Sequence, residues 1–187
     1  MIIKCFEKVL KYKIVTKVLL IAIPLISILF PRPYVLLVSF DGFRYDYLDR
    51  VDTPNFDKLK LDGTSAESLI SVFPSFTFPN HYAIATGTYA GTHGLIANSF
   101  YRKDFKESYS MRNRNTVIDG KWYGAEPIWV TAEKQGVHTA TYFWVGSEAE
   151  ISGVRPSIYE SYDGRIPFAD RVVSVFDWFS LPYENRP

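Results

Sequence analysis

The sequence predicts an α/β fold with a mainly parallel sheet covered on both faces, and three observations point to it. Strand-like runs at residues 35–40, 66–72 and 137–143 alternate with segments that carry helix start and stop signals. The run Val35-Leu36-Leu37-Val38-Ser39-Phe40 reads as a buried strand that ends on a carboxylate, Asp41. With 187 residues, 47% of them hydrophobic and 17% aromatic, the chain is long and apolar enough for one domain with a core of its own.

In chain order, Pro31-Arg32-Pro33 is a stiff spacer ahead of the first strand. Asp41-Gly42-Phe43-Arg44 then turns the chain toward a short helix. A second helix starts near Thr53-Pro54, because threonine caps well and proline is tolerated at the first helical position. Gly63 stops it, and residues 66–72 follow as a second strand. Residues 79–85 read as a helix closed by Gly87, followed by a loop through Gly91 and Gly94. Residues 98–124 are polar and aromatic without a clear period, which predicts loop with short strands. Residues 126–135 read as a helix ended by Gly136, and 137–143 as a β-branched and aromatic strand. The clearest amphipathic helix spans 168–179, where Val172, Val173, Val175, Phe176 and Phe179 recur at near-helical spacing.

The first 30 residues read differently. Lys4, Lys8, Lys11, Lys13 and Lys17 precede an apolar run at 18–30, too short to span a bilayer but right for a signal peptide. A signal peptide or a short signal anchor over residues 1–30 therefore predicts a secreted or cell-surface body at 31–187, with membrane association through that segment. Without the segment, 16 basic residues face 19 acidic ones, formally −3, which excludes duplex nucleic acid as a bulk partner. Cys5 is the only cysteine, so the body is expected to be held by its core, with room for a metal, rather than by disulfides.

Several polar residues are candidates for chemistry. Asp41 lies beyond the carboxyl end of a strand, where α/β sheets bind ligands, and could ligate a divalent metal or cap the next helix. Thr77 stands where a helix can begin in Phe76-Thr77-Phe78-Pro79. There the amides and dipole would favour a phosphate or an alkoxide, or the threonine could simply be a cap. His81 lies one turn on and reads more as a packing residue than a ligand, and His93 could orient a loop. Asn98 could face a developing oxyanion or make a turn. Phe78, Trp144, Tyr159 and Tyr162 could stack on a planar base or fill a core.

Taken in order, these stretches resemble the nucleotide pyrophosphatase/phosphodiesterase family of the alkaline phosphatase superfamily. They are Leu36-Leu37-Val38-Ser39-Phe40-Asp41-Gly42-Phe43-Arg44, Thr53-Pro54-Asn55, Thr77-Phe78-Pro79-Asn80-His81-Tyr82 and Thr86-Gly87-Thr88-Tyr89. His93-Gly94-Leu95-Ile96-Ala97-Asn98, Gly124-Ala125-Glu126-Pro127-Ile128-Trp129 and residues 159–164 and 182–187 continue the likeness, which covers nearly all of 34–187. A sulfatase does not fit, since its Cys/Ser-x-Pro-x-Arg setting is not matched by Thr77-Phe78-Pro79-Asn80.

The resemblance implies a three-layer α/β/α fold, alkaline-phosphatase-like and incomplete here, and hydrolysis of phosphodiester or pyrophosphate bonds in nucleotides. It implies two Zn2+ ions in a complete site, with Asp41 a ligand and Thr77 both ligand and nucleophile. It further implies that Asn98 is the oxyanion-hole amide and that Phe78 and Tyr162 sandwich the substrate's base, with Trp144 lining the pocket. Phe76 departs from the lysine often found before the threonine, which bears on substrate preference. The family's other metal ligands lie beyond the equivalent of Pro187. These 187 residues are thus expected to be inactive alone, the alternative being a non-catalytic paralogue or fragment that at most binds ligands.

Overall fold

A computed structural model describes residues 33–187. The targeting segment expected at 1–30 lies outside them, and among the described residues no helix is long and apolar enough to cross a membrane. Residues 33–37 belong to the N-terminal of two compact units and are exposed; all that follows concerns the unit 38–187.

Helix α1 (Pro54–Asp62) begins on a proline and ends where the Gly63 N–H donates to the Leu59 carbonyl at 3.0 Å. Helix α2 (Thr77–Thr86) starts ahead of the predicted Pro79 and is closed by Gly87, whose left-handed φ of 64° lets its N–H reach the Ala83 carbonyl at 2.8 Å. A short helix α3 (Ala90–His93) leads into an antiparallel hairpin of β1 (Ser99–Arg102) and β2 (Glu107–Ser110), with Phe100 opposite Tyr109. Helices α4 (Arg114–Val117) and α5 (Ile128–Lys134) flank a 3-10 turn at Gly120–Trp122. Strand β3 (Ala140–Tyr142) then pairs in parallel with β4 (Ile158–Glu160), Thr141 lying opposite Tyr159. Helix α6 (Phe168–Phe179) and a last 3-10 turn at Tyr183–Asn185 complete the order.

The fold is α/β, with β3 and β4 as its parallel strands among the described residues. The runs at 35–40 and 66–72, expected as strands, carry no ladder, and Leu69 is 81% exposed. An apolar run favours a strand, but a strand forms only where a neighbour supplies hydrogen bonds, and among the described residues none pairs with either run. Helix α6 forms as predicted, yet Val172, Val173 and Phe176 are exposed rather than packed.

The core sits where the sequence shows no period. Trp122 is fully buried against Phe105 at 5.3 Å, Tyr109 at 5.5 Å and Phe100 at 5.8 Å. Tyr82 from α2 meets Tyr123 at 5.2 Å, and Leu95, Val117, Trp129, Val130, Val145, Ala149 and Ile151 close the cluster. Each large side chain so buried contributes roughly 1.5–3 kcal/mol. Gly146 permits this packing: its φ is 86°, and a Cβ there would lie 3.0 Å from the rings of both Tyr82 and Tyr123.

Two carboxylates clamp the periphery of this core. Glu148 is buried and takes a two-pronged grip from Arg114, one arm at 2.8 Å. Glu133, on α5, accepts from the Thr139 N–H and hydroxyl, each at 2.7 Å, and from the Ser157 N–H and hydroxyl at 2.8 and 2.9 Å. It thereby holds the residues that lead into β3 and β4 side by side. Burial disfavours its charge, but these four donors outweigh burial and keep its carboxyl below the usual range.

Candidate active site

The site is assembled at the first turn of α2. Phe76 is the extended residue ahead of that helix and makes no side-chain cap, so Thr77 occupies the first helical position and is not the cap. Its hydroxyl instead donates to Asp41 Oδ2 at 3.3 Å, across 36 residues of sequence. Asp41 is no cap either, because the next helical turn, Tyr47–Asp49, has Asp46 at that position. The structure therefore sets aside the capping alternative for both residues and brings them together.

Asn98 arrives from the loop before β1. Its Oδ1 accepts the Phe78 backbone N–H at 3.0 Å, serving one of the donors that a helix start leaves without an intrahelical partner. An N–H can only donate, so this bond fixes which side of the amide is oxygen. The Asn98 Nδ2 donates to no protein group among the described residues and remains available to an anion at the same helix start.

Of the candidate stacking residues, Phe78 and Trp144 adjoin this helix start, and Tyr162 and Tyr159 stand on other supports. The Phe78 ring tilts against Tyr109 at 6.2 Å, and Trp144 meets the His81 ring edge-on at 5.9 Å. Trp144 also donates its Nε1–H to the His81 carbonyl at 3.0 Å. Tyr162 packs its edge on Phe143 at 5.1 Å and stays 62% exposed, which leaves a ring face open. Phe143–Trp144 and Tyr162 lie just past the carboxyl ends of β3 and β4, where parallel sheets place their ligands. Phe143 holds a left-handed φ of 60°, strained for a bulky residue and propped by Tyr162 and the Arg171 guanidinium 4.9 Å from its ring. Tyr159 is exposed in β4, with the Arg155 guanidinium 5.9 Å from its ring.

The histidines divide. His81 is part-exposed, its Nδ1 2.8 Å from the Thr77 carbonyl and its Nε2 3.0 Å from the Ser39 hydroxyl. His93 is fully buried, accepts the Leu95 N–H on Nδ1 at 3.2 Å and meets Tyr82 edge-on at 5.3 Å. Burial holds its imidazole below the ordinary range despite an opposing pull from backbone carbonyls, that of Pro79 first. It accepts from the turn that leads to Asn98.

Two residues of the site carry no sequence signal of their own. Asn80 accepts the Val72 N–H at 2.8 Å and donates to the carbonyls of Pro74 at 3.2 Å and Phe76 at 3.0 Å, folding the 72–76 turn against α2. Only its place in the first turn of a helix that follows a proline-rich turn hints at that role. Ser39 looks like one more small residue in an apolar run, and its partner is 42 positions away.

As a metal site the described residues are half-equipped. Asp41 and Thr77 supply two hard oxygen donors, and no cluster of three His, Cys, Asp or Glu side chains occurs among the described residues. A catalytic zinc takes about three protein ligands, so these residues alone do not fit it.

The sequence pattern of type I phosphodiesterase / nucleotide pyrophosphatase matches residues 35–187. Human ectonucleotide pyrophosphatase/phosphodiesterase family member 1 is 43% identical over 160 residues, 84% of this chain and 17% of that protein. A venom phosphodiesterase of Naja atra is 45% identical over 160 residues, 84% of this chain and 19% of that protein. Among solved structures, murine ectonucleotide pyrophosphatase/phosphodiesterase 5, an inactive threonine-to-alanine variant in complex with AMP, aligns with a TM-score of 0.76 at 34% identity. That alignment covers 80% of this chain and 40% of the murine one. The human counterpart, at 38% identity, gives a TM-score of 0.75. The chain thus spans less than a fifth of the curated relatives and two-fifths of the solved ones. With the pattern matched over most of its length, the chain belongs to the type I phosphodiesterase / nucleotide pyrophosphatase family.

Proposed function

We propose that this chain carries the nucleophile half of a metal-dependent hydrolase of phosphodiester or pyrophosphate bonds in nucleotides, with Thr77 as the nucleophile. The observation behind it is the convergence of Thr77, Asp41 and Asn98 on one helix start, from three separate parts of the chain. A solved relative that holds AMP and is inactive with one threonine changed to alanine supports the same reading.

In this reading a phosphate sits at the start of α2, attracted by the amides and dipole of that end. Asp41 holds the Thr77 hydroxyl proton while Oγ turns toward phosphorus. Attack forms the Oγ–P bond and breaks the bond to the leaving oxygen, and water then cleaves the phosphothreonine and restores the hydroxyl. Asn98 Nδ2 donates to a phosphoryl oxygen on which charge builds. Phe78, Tyr162 and Trp144 would take the base by stacking. Zn2+ is the expected ion, held in part by Asp41 and Thr77; since two donors do not complete its site, no step is assigned to it.

The 31–187 body would work outside the cell, behind a signal peptide or anchor at 1–30; the names of the ecto- and venom relatives support this. The two-donor set favours a second reading for these residues in isolation, namely nucleotide binding without turnover. Both are tested with 4-nitrophenyl thymidine-5′-phosphate and Zn2+. The isolated chain is expected to bind AMP without measurable turnover, while a longer polypeptide that adds metal ligands turns over and loses this on Thr77→Ala. Turnover that survives Thr77→Ala would sink the nucleophile assignment.

A further inference from the structure

His81 and Ser39 close a ring of contacts around the Asp41–Thr77 pair. The Thr77 carbonyl can only accept, so the His81 Nδ1, 2.8 Å away, must carry the hydrogen. A neutral ring then presents a lone pair at Nε2, and the Ser39 hydroxyl donates to it at 3.0 Å. Ser39 stands two residues before Asp41, whose Oδ2 accepts from the Thr77 hydroxyl at 3.3 Å. The ring therefore runs from Thr77 through His81 to Ser39, along the backbone to Asp41, and back to Thr77.

We propose that the Ser39–His81 pair is a brace that positions Asp41 opposite the Thr77 hydroxyl; the inference rests on reading those two as the reactive pair. His81 does not act on the reaction directly, because its Nδ1 faces the Thr77 carbonyl and not the hydroxyl. It is a positioning residue, and Trp144 holds it from behind through the edge-on ring contact at 5.9 Å and the bond to the His81 carbonyl at 3.0 Å.

The brace matters because, among the described residues, nothing else of comparable reach fixes Asp41. No residue from 38 to 72 is buried, so packing does not place the carboxylate. Among the described residues, the ties from this segment to α2 that involve a side chain are the Ser39 hydroxyl to His81, the Asp41 carboxylate to Thr77 and, at its far end, the Val72 backbone N–H to Asn80. Two exposed hydrogen bonds add little to stability, whereas misplacing a reacting group by an ångström can cost roughly 100-fold in rate. A brace and an ordinary surface contact therefore predict opposite patterns.

The test uses the whole 187-residue chain labelled with 15N-histidine and 13C-aspartate, together with Ser39→Ala, Ser39→Thr and His81→Phe. The neutral His81 ring should be protonated on Nδ1. Ser39→Ala should move its Nε2 signal and the Asp41 carboxyl signal, Ser39→Thr should restore both, and the melting temperature should hardly change. In a polypeptide that turns over the nitrophenyl ester, Ser39→Ala should lower kcat about 10- to 100-fold with KM nearly constant, again rescued by threonine. A neutral ring protonated on Nε2, or Asp41 signals unmoved by both Ser39→Ala and His81→Phe, would overturn the brace. Absence of any Thr77-dependent turnover would count against the nucleophile reading alone, since the nitrogen signals report on the brace without it.

Discussion

Residues 77–160 and residues 38–72 contribute to one site but are built in opposite ways. The first region surrounds Trp122, Tyr82 and Tyr109 with a closed aromatic core, and it fixes α2 and the Asn98 loop to that core. The second has no buried residue and gathers only a small, half-exposed cluster in which Phe43 meets Phe40 and Tyr47, each at 5.5 Å. Thr77 and Asn98 thus stand on packed ground, and Asp41 hangs from hydrogen bonds. The contrast teaches that Thr77, the nucleophile we propose, and the Asn98 amide are placed by the local core, whereas the Asp41 carboxylate is placed by a few named contacts.

The largest expected break of that contrast is in the core. Trp122→Ala should cost about 3–5 kcal/mol and collapse α2 and the hairpin together, whereas Phe43→Ala should cost well under half as much. Urea unfolding of the two variants measures this, and equal losses would mean that 38–72 is packed as firmly as the rest. Next in size, Asn80→Ala should cost about 1–2 kcal/mol and release the 72–76 turn. Hydrogen exchange at the Val72 amide should rise sharply while that of Leu95 stays slow.

The smallest effect is one of pH. The Glu133 carboxyl is held below its usual range by Thr139 and Ser157, against the opposing effect of burial. Its contribution is therefore complete above the ordinary glutamate value of about 4.3 and fades as pH falls through the lower folded value. The stability gap between the natural chain and Glu133→Gln should be widest at neutral pH and shrink below about pH 4. A gap that grows on acidification would show that the hydrogen bonds at Glu133 do not favour its charged form.

Legibility in the sequence follows the same divide. Elements set by local signals were readable: α1 with Pro54 at its head, α2 with Gly87 at its foot, α6 by its spacing. The core was not, because Phe100, Tyr109 and Trp122 follow no period and meet only once the hairpin has formed. The runs at 35–40 and 66–72 read as strands because apolarity is local, while their pairing is not. At the site, each candidate was visible as a residue type, but neither the Thr77–Asp41 contact nor the Ser39–His81 contact could be read, since 36 and 42 positions separate the partners. Asn98 was visible as a neutral donor, while the bond that orients its amide was not.

The two ends of the Asn98 amide serve different masters. Its oxygen serves the start of a helix, and its nitrogen donates to no protein group among the described residues. Exchange of that one nitrogen for oxygen, as in Asn98→Asp, would keep an acceptor for the Phe78 N–H and, under the function we propose, point a negative charge at an incoming phosphate. Such a variant would look sound by circular dichroism and yet lose the phosphate site we propose, so folding quality and binding competence must be scored separately at this position.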